Sequence, residues 1–331
     1  MISTGKRAAS LDVIKEPIRD ELREFDRFFK TSMRSKVGLV DLVARYLVRQ
    51  KGKRVRPILV LLSAKACGII TESTFRGATL VEILHTATLV HDDVVDEADT
   101  RRGFASINAV WKNKIAVLMG DYLLARGLLL SIEGQDYYFL RSTSQAVKRM
   151  SEGELLQIQK SRQLDITEET YLRIIADKTA SLLSTCTDIG CASVTTDETT
   201  RSSLRTYGEH LGMAFQIRDD LLDYVGRKSI IGKPTGLDLK EKKLTLPLIH
   251  ALTNADRKDA RQALRIVKNG AKLKDIEWIA EFVRVHDGIR YAVEKAESFA
   301  GLARADLATI PFSPAKKSLL QFIDFVIQRD S

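Results

Sequence analysis

Two acidic motifs of identical spacing are the residues of this chain best suited to chemistry. The motif DDVVD occupies positions 92–96 and DDLLD occupies positions 219–223, so each places three carboxylates within five residues. Residues four apart share one face of a helix, so the first and last aspartates of each motif should point the same way. Removing a carboxylate from water is costly unless a cation compensates. The repeated motif therefore predicts two facing carboxylate clusters that bind hard divalent ions.

The surroundings of both motifs suggest a diphosphate as the companion of those ions. Each motif lies in an apolar stretch and is followed by basic residues: Arg101 and Arg102 after the first, Lys233 and Lys243 after the second. Mg2+ prefers oxygen ligands and binds through one or two carboxylates plus substrate phosphates, while arginine recognises phosphate oxygens in pairs. One such motif alone would also fit a solvated helix face, but two copies in apolar surroundings argue against that interpretation.

The elements that must position these motifs are predicted to be helices. Hydrophobic residues make up 44% of the 331 residues, only 6 are proline, and β-hairpin signals are nearly absent. Without a separating linker, positions 1–331 are expected to form a single all-α domain, a large helical bundle around a central cavity. The predicted helices span about 10–31, 36–50, 55–69, 73–98, 105–110, 113–131, 135–161, 168–193, 199–224, 238–253, 257–268, 273–283, 286–305 and 314–329.

Charge and composition narrow the classes of partner. The formal net charge of +9 permits anionic partners. The basic run at 51–56 leads directly into an apolar helix without interleaved aromatic residues, which argues against nucleic acid. Diphosphates fit better, and transient contact with an anionic membrane surface fits as well. Three cysteines cannot all pair, no apolar leader begins the chain, and its apolar runs are short or broken by charges, so a soluble cytoplasmic protein is expected.

With these motifs the chain resembles the trans-isoprenyl diphosphate synthases, the polyprenyl synthetase family, and most of all long-chain members such as octaprenyl diphosphate synthases. The resemblance runs from about residue 10 to the C-terminus. It implies the all-α isoprenoid synthase fold, a homodimer, and Mg2+ as cofactor with three ions per active site. The implied metal ligands are Asp92, Asp93, Asp96, Asp219, Asp220 and Asp223.

The same resemblance implies two diphosphate sites. The sequence ADKTA at 176–180 is similar to the family's allylic-diphosphate motif, and GKRVRP at 52–57 to its isopentenyl-diphosphate clamp. Residues implied at the allylic diphosphate are Lys178, Thr179, Gln216, Lys233 and Arg101, with Lys243 as a further substrate-binding cation, and those implied at isopentenyl diphosphate are Lys53, Arg56, His85 and Arg102.

The implied reaction is the condensation of isopentenyl diphosphate with an allylic diphosphate. Diphosphate leaves the allylic substrate, the isopentenyl double bond attacks the resulting cation, and a proton is lost. In short-chain members aromatic side chains just before the first motif block the shaft that holds the tail, whereas here Ala87 and Thr88 leave it open. The expected product is therefore a long all-trans chain of about C30 to C45, of the kind used as a quinone side chain.

Other classes remain as alternatives. A short-chain farnesyl or geranylgeranyl diphosphate synthase would share every motif except the open shaft. A class I terpene cyclase has one such acidic motif and would lack the clamp at 52–57. A ferritin-type di-metal bundle needs a Glu-x-x-His motif on each of two helices, a pair that this chain does not carry. An inactive subunit of a heteromeric synthase would usually have lost some of the aspartates that are intact here.

Overall fold

The computed structural model describes residues 10–50, 52–101, 103–225, 239, 241–270 and 273–328. The fold is all-α, as predicted, and within these ranges β structure is limited to a hairpin of β1 (Thr100–Arg101) and β2 (Phe104–Ala105). The helices of these ranges are α1 Leu11–Lys15, α2 Arg19–Ser32, α3 Gly38–Arg49, α4 Val55–Cys67, α5 Glu72–Val95, α6 Ile107–Glu133, α7 Tyr137–Gln163, α8 Glu168–Ile175, α9 Ser181–Ala192, α10 Glu198–Val225, α11 Leu246–Asn254, α12 Arg257–Asn269, α13 Leu273–Val285, α14 Gly288–Asp306 and α15 Pro314–Ile327.

Helix α4 forms the centre of the bundle. Every residue from Pro57 to Ala64 is buried, and a helix that is apolar on all sides must be surrounded by other helices. Its neighbours are α5, α9 and α15, while α10 packs between α9 and α14. Two hydrophobic clusters result, one around α4, α5 and α9 and one around α10, α11 and α14, and both contact Phe299 and Ile327. The helices carrying the acidic motifs, α5 and α10, thus both border α9.

Several predicted helices are interrupted for local reasons. The helix expected over 10–31 contains a 3-10 turn at Glu16–Ile18, because Pro17 lacks the N–H that an α-helix requires there. The break expected after position 110 is confirmed at Lys112, whose φ of 70° and ψ of 161° are not helical and kink α6.

One prediction of continuous helix was confirmed and another was wrong. The stretch 168–193 is helical almost to its end, with a π-helical turn at Ala176–Ala180 between α8 and α9. The helix expected over 238–253 is interrupted, because residues 241–245 form a turn and an extended segment before α11 begins at Leu246, with Pro247 in its first turn. Proline fits the first turn of a helix because its missing N–H would have no partner there, so this residue marks a helix start.

Helix α6 is, within the part of the chain that the structure describes, the one helix long and apolar enough by length and composition to cross a membrane. Its most extensive partner is α5, against which it packs along its length. The side turned away from α5 keeps large apolar residues exposed, among them Val110, Val117, Leu118, Leu129 and Ile132. This helix therefore has one face in the core and a second apolar face without a covering element among the described residues.

Candidate active site

The first acidic motif lies at the C-terminal end of α5 and divides its carboxylates between two sides. Asp92 and Asp96 line a cavity of about 660 Å³ together with Lys178 and Lys243. Asp93 turns the other way, is only 3% exposed, and accepts a hydrogen bond from Arg101 Nε at 2.5 Å. The four-residue spacing thus does put Asp92 and Asp96 on one face, while Asp93 points into the protein.

The electrostatics at this end of α5 favour a cation. Burial raises the pKa of Asp92, and the negative charges of Glu154 and Asp96 raise it further, against the opposing effect of Lys178. Burial also raises the pKa of Asp93, although the hydrogen bond and charge of Arg101 act in the opposite direction. Carboxylates whose ionised form is disfavoured by burial and by one another gain the most from a positive ion beside them.

Opposite this motif, the π-turn presents Lys178 and Thr179. The turn holds one extra residue relative to an α-helix, a feature that often occurs at functional sites. Lys178 forms an ion pair with Glu154 of α7, and its Nζ also donates to Gln157 Oε1 at 3.4 Å. The ammonium is thereby directed toward the cavity that Asp92 lines.

A chain of hydrogen bonds connects the π-turn to the second acidic motif. Thr179 Oγ1 donates to Gln216 Oε1 at 2.7 Å, and Gln216 Nε2 donates to Asp220 Oδ1 at 2.8 Å. The other carboxylate oxygen of Asp220 accepts from the Tyr171 hydroxyl at 2.6 Å. Because both oxygens of this nearly buried carboxylate are hydrogen-bonded, Asp220 is held in one orientation against α8 and the π-turn.

The remaining aspartates of the second motif lie on the outer side of α10. Asp219 is exposed and Asp223 half-buried, and they share a face as their spacing requires. The lysine predicted to assist them, Lys233, lies outside the described residues. Lys243 lies at the boundary of two cavities: the large one with Asp92, and an adjoining one of about 90 Å³ with Thr179, Gln216 and Asp220. The residues predicted at the allylic diphosphate are therefore brought together, Arg101 and Lys233 excepted.

A separate crevice joins part of the predicted isopentenyl diphosphate site. His85, Asp93 and Arg101 line it with Gly52, and its volume is about 40 Å³. Arg101, expected at the allylic diphosphate, thus lies on the same side as His85. Lys53 follows Gly52 in the chain and is exposed, and Arg102 lies outside the described residues.

Arg56, the remaining residue of the predicted clamp, lies in the first turn of α4 and is half-buried. Its charge acts on the buried thiol of Cys186, whose pKa burial raises to about 12 against the lowering effect of Arg56. Of the clamp segment 52–57, Gly52 and Arg54 line the crevice with His85, whereas Lys53 and Arg56, the two residues predicted to bind the diphosphate, do not.

The carboxylates fit Mg2+, which the family uses to bind diphosphate. They offer oxygen ligands only, and the first cluster carries excess negative charge in a partly buried position. Among the described residues, no three metal-ligating side chains lie close enough to form a complete ion site. In the usual Mg2+ site, one or two carboxylates leave the remaining positions to water and substrate phosphate.

Some residues of this site were not predicted from the sequence. Glu154 and Gln157, three residues apart on α7, accept an ion pair and a hydrogen bond from Lys178. The Tyr171 hydroxyl donates a hydrogen bond to Asp220. Lys268 lines the large cavity from α12, far along the chain. The three-residue spacing on a half-buried helix face was the available signal for Glu154 and Gln157, whereas Lys268 had none.

The chain does contain one Glu-x-x-His motif, at 82–85, but its Glu82 accepts a hydrogen bond from Arg54 Nη1 at 3.4 Å. No second such motif exists in the sequence, so the pair that a ferritin-type bundle needs is missing.

Comparison with known proteins agrees with this geometry. Residues 38–283 match the family model of polyprenyl synthetase. An all-trans-nonaprenyl-diphosphate synthase (geranyl-diphosphate specific) of Rhodobacter capsulatus is 37% identical, with 96% of this chain and 97% of that protein covered. A geranylgeranyl diphosphate synthase of Saccharolobus solfataricus is 33% identical, with 91% and 93% covered.

A solved structure extends the similarity to the fold. The polyprenyl synthase of Caulobacter crescentus, complexed with calcium and isoprenyl diphosphate, superposes with a TM-score of 0.90 at 31% identity, covering 99% of this chain and all of that one. The match of residues 38–283 to the polyprenyl synthetase model favours a synthase over a terpene cyclase or a ferritin-type bundle. The chain belongs to the polyprenyl synthetase family and is a trans-prenyltransferase.

Proposed function

We propose that this enzyme adds isopentenyl diphosphate repeatedly to an allylic diphosphate and releases a long all-trans polyprenyl diphosphate of about C30 to C45, for use as a quinone side chain. The observation that carries the prenyl transfer is the hydrogen-bonded series from Thr179 through Gln216 to Asp220, which lies beside a cavity where Lys178 faces Asp92. Cations and carboxylates converge there on one space large enough for a diphosphate.

The allylic diphosphate is assigned to the large cavity and the one adjoining it. Lys178 and Lys243 supply positive charge. The Thr179 hydroxyl, which donates to Gln216, orients that amide, whose second N–H is available to a diphosphate oxygen. Lys233 is assigned to the same group by resemblance. Since charge grows on the departing diphosphate, donors held in place before the reaction stabilise the transition state more than the substrate. The three Mg2+ ions assigned to the six aspartates add Lewis-acid stabilisation of the same leaving group when bound.

Isopentenyl diphosphate is assigned to the side of α5 that bears His85. His85 and Arg101 line one crevice there, and Lys53, Arg56 and Arg102 are assigned to the same substrate by resemblance. Asp93 separates this side from the large cavity, because its carboxylate pairs with Arg101 while Asp92 faces the other way. The two substrates would thus approach the end of α5 from opposite sides.

Product length is assigned to the helix face below Asp92. Ala87 is 3% exposed, and Leu84 and Val81 follow it into the same hydrophobic cluster with exposures of 2% and 0%. On α6, a Cβ at Gly127 would come within 3.3 Å of Leu80 and 3.4 Å of Leu84. None of the residues at 81, 84 or 87 is aromatic, which supports the proposal of a long product.

The test of chain length is direct. The purified enzyme is incubated with Mg2+, geranyl diphosphate (C10) and isopentenyl diphosphate, and the products are identified by mass spectrometry. Wild type should make chains of about C30 to C45, and Ala87→Phe should stop at C15 or C20 because an added ring fills close-packed space. Leu302→Phe, at an exposed position of α14, is the control and should leave chain length unchanged. Wild-type product of C15 or C20 would identify a short-chain synthase instead.

The metal assignment has its own test in the same assay. Asp92→Ala and Asp219→Ala should each reduce turnover by several orders of magnitude with helix content unchanged, because either removes a charge that holds the ion and diphosphate. Asp324→Ala, which removes a surface carboxylate paired with Arg304 on α14, should be nearly neutral. Near-normal turnover of either active-site variant would refute the assignment.

A homodimer and a cytoplasmic location complete the proposal. The exposed apolar face of α6 supports burial against a second copy, and three free cysteines fit a reducing compartment. Light scattering should give about twice the chain mass of 37.1 kDa, and a mass near 37.1 kDa at micromolar concentration would contradict the dimer. Transient attraction to anionic membrane remains part of the proposal because of the positive net charge.

A further inference from the structure

An arginine outside both cavities joins the three elements that carry the allylic site. Arg149 lies on α7, where its Nε donates to Asp177 Oδ1 at 2.8 Å and its Nη2 donates to Glu209 Oε1 at 2.8 Å. Its Nη1 donates to the second oxygen of Glu209 at 3.4 Å. Asp177 is the residue directly before Lys178 in the π-turn, and Glu209 lies on α10 two turns before Gln216. One guanidinium therefore connects α7, the π-turn and α10.

The contacts of Arg149 lie where the backbones of α7 and the π-turn are already in close contact. A Cβ added at Gly153 of α7 would lie 3.0 Å from Asp177 Cβ and 3.1 Å from the Lys178 nitrogen. The Ser181 hydroxyl donates to the Asp177 carbonyl at 2.6 Å and ties the turn to the start of α9. With so little free space, a shift of the turn relative to α7 must also move the Lys178 side chain that emerges from it.

The charges around Asp177 matter for an anionic substrate. Asp177 is adjacent to Lys178, the cation assigned to the allylic diphosphate, and it is largely buried, with 18% of its side chain exposed. A second cation, Arg173, is more distant at 3.8 Å and 72% exposed, so Arg149 is the main neutralising partner. Without Arg149, a carboxylate of uncompensated charge would lie beside the diphosphate-binding lysine and oppose the binding of an anion.

We propose that Arg149 is a positioning residue for the allylic diphosphate, which fixes the π-turn through Asp177 and α10 through Glu209 and neutralises the carboxylate behind Lys178. It lines a polar groove on the outer side of α7 and neither of the two cavities assigned to substrate. Its action is therefore indirect, through the geometry and charge of the turn. This inference rests on the proposed function, since it deepens the assignment of the allylic site.

The experiment compares Arg149→Ala with the double variant Arg149→Ala/Asp177→Asn. Binding of farnesyl S-thiolodiphosphate, an unreactive allylic analogue, is measured by titration calorimetry with Mg2+, and the KM of each substrate is measured by turnover. Arg149→Ala should weaken analogue binding and raise the allylic KM about tenfold, with the isopentenyl diphosphate KM within about twofold, because a small misplacement of binding groups is expensive for the reaction. The double variant should recover most of the loss, since it removes the uncompensated charge.

Arg141→Ala is the matched control. Arg141 lies on α7 eight residues earlier, lines the same groove, and forms no ion pair with a carboxylate of the described residues, so its removal should change neither constant. Unchanged analogue binding in Arg149→Ala would overturn the inference. Equal loss for both substrates with no recovery in the double variant would also overturn it, because that pattern indicates general destabilisation. If wild type binds the analogue but transfers no prenyl group, the proposed function fails, whereas active wild type with unaffected Arg149→Ala rejects this inference alone.

Discussion

The closest helix contact in the allylic site yields the sharpest stability prediction. A Cβ built on Gly212 of α10 would lie 2.4 Å from Ala180 Cα and 2.7 Å from Ala180 Cβ, at the end of the π-turn. Carbon atoms in van der Waals contact are about 3.5–4.0 Å apart, so α10 would have to retreat by about 1 Å. Gln216 lies one turn further along α10, and its hydrogen bond to Thr179 at 2.7 Å would lengthen with that retreat.

The expected magnitude is the difference of two effects. Replacing a helical glycine by alanine stabilises a helix by about 0.5–1 kcal/mol, because the unfolded chain has less freedom to lose. Overpacking a core costs about 1–3 kcal/mol. Gly212→Ala should therefore destabilise the protein by about 1 kcal/mol at the middle of both ranges, and by up to roughly 2.5 kcal/mol, after the helix gain is subtracted. Gly301→Ala on α14 is the matched control, since nothing lies within 4 Å of its added Cβ, and it should stabilise by about 0.5–1 kcal/mol.

Thermal unfolding midpoints and turnover of the two variants are compared with wild type in parallel. Gly212→Ala should lower the midpoint and reduce turnover about tenfold or more, because the donors around the diphosphate lose their alignment. Gly301→Ala should raise the midpoint slightly and leave turnover unchanged. A Gly212→Ala variant as stable and active as Gly301→Ala would refute the close approach of α10 to the π-turn.

Three further predictions follow from buried groups. Tyr171→Phe removes the hydroxyl that donates to Asp220, so it should destabilise the fold by about 1.5–3 kcal/mol in calorimetry and reduce turnover. Wild-type stability and turnover in this variant would contradict the hydrogen bond. Burial raises the pKa of Glu168, but hydrogen bonds from Lys295 and Tyr291 outweigh burial and lower it, so this carboxylate stabilises the fold above its unfolded pKa and loses that effect as pH falls. Glu168→Gln should therefore flatten the decline in melting temperature below about pH 4.5, and an unchanged slope would contradict this. Burial raises the pKa of Cys186 to about 12, so iodoacetamide at pH 8 should label the half-buried Cys67 and spare Cys186 in the native protein. Mass spectrometry identifies the labelled cysteines, and equal labelling of the two would contradict the burial of Cys186.

Much of this protein follows from local sequence pattern. Helical periodicity predicted the all-α fold, and even the irregular backbone at Lys112 falls at an expected helix boundary. The four-residue spacing of the first motif was enough to place Asp92 and Asp96 on one face, because the α-helix fixes the relation of residues one turn apart regardless of their surroundings. The resemblance of the motifs to the polyprenyl synthetases was likewise visible in the sequence and agrees with the family match.

What the sequence left undetermined depends on contacts between residues far apart in the chain. Tyr171 and Asp220 are 49 residues apart and Arg149 and Glu209 are 60 apart, so no periodicity brings them into register. The π-turn has no local signal, because its extra residue is accommodated only where α7 and α10 press against it through Gly153 and Gly212. Helix packing also decided that Asp93 turns inward to Arg101 while Asp92 faces the cavity. Local spacing singled out the aspartates, and the family resemblance supplied the other predicted site residues. The burial and close packing of distant helices determined which of them meet and with what charge.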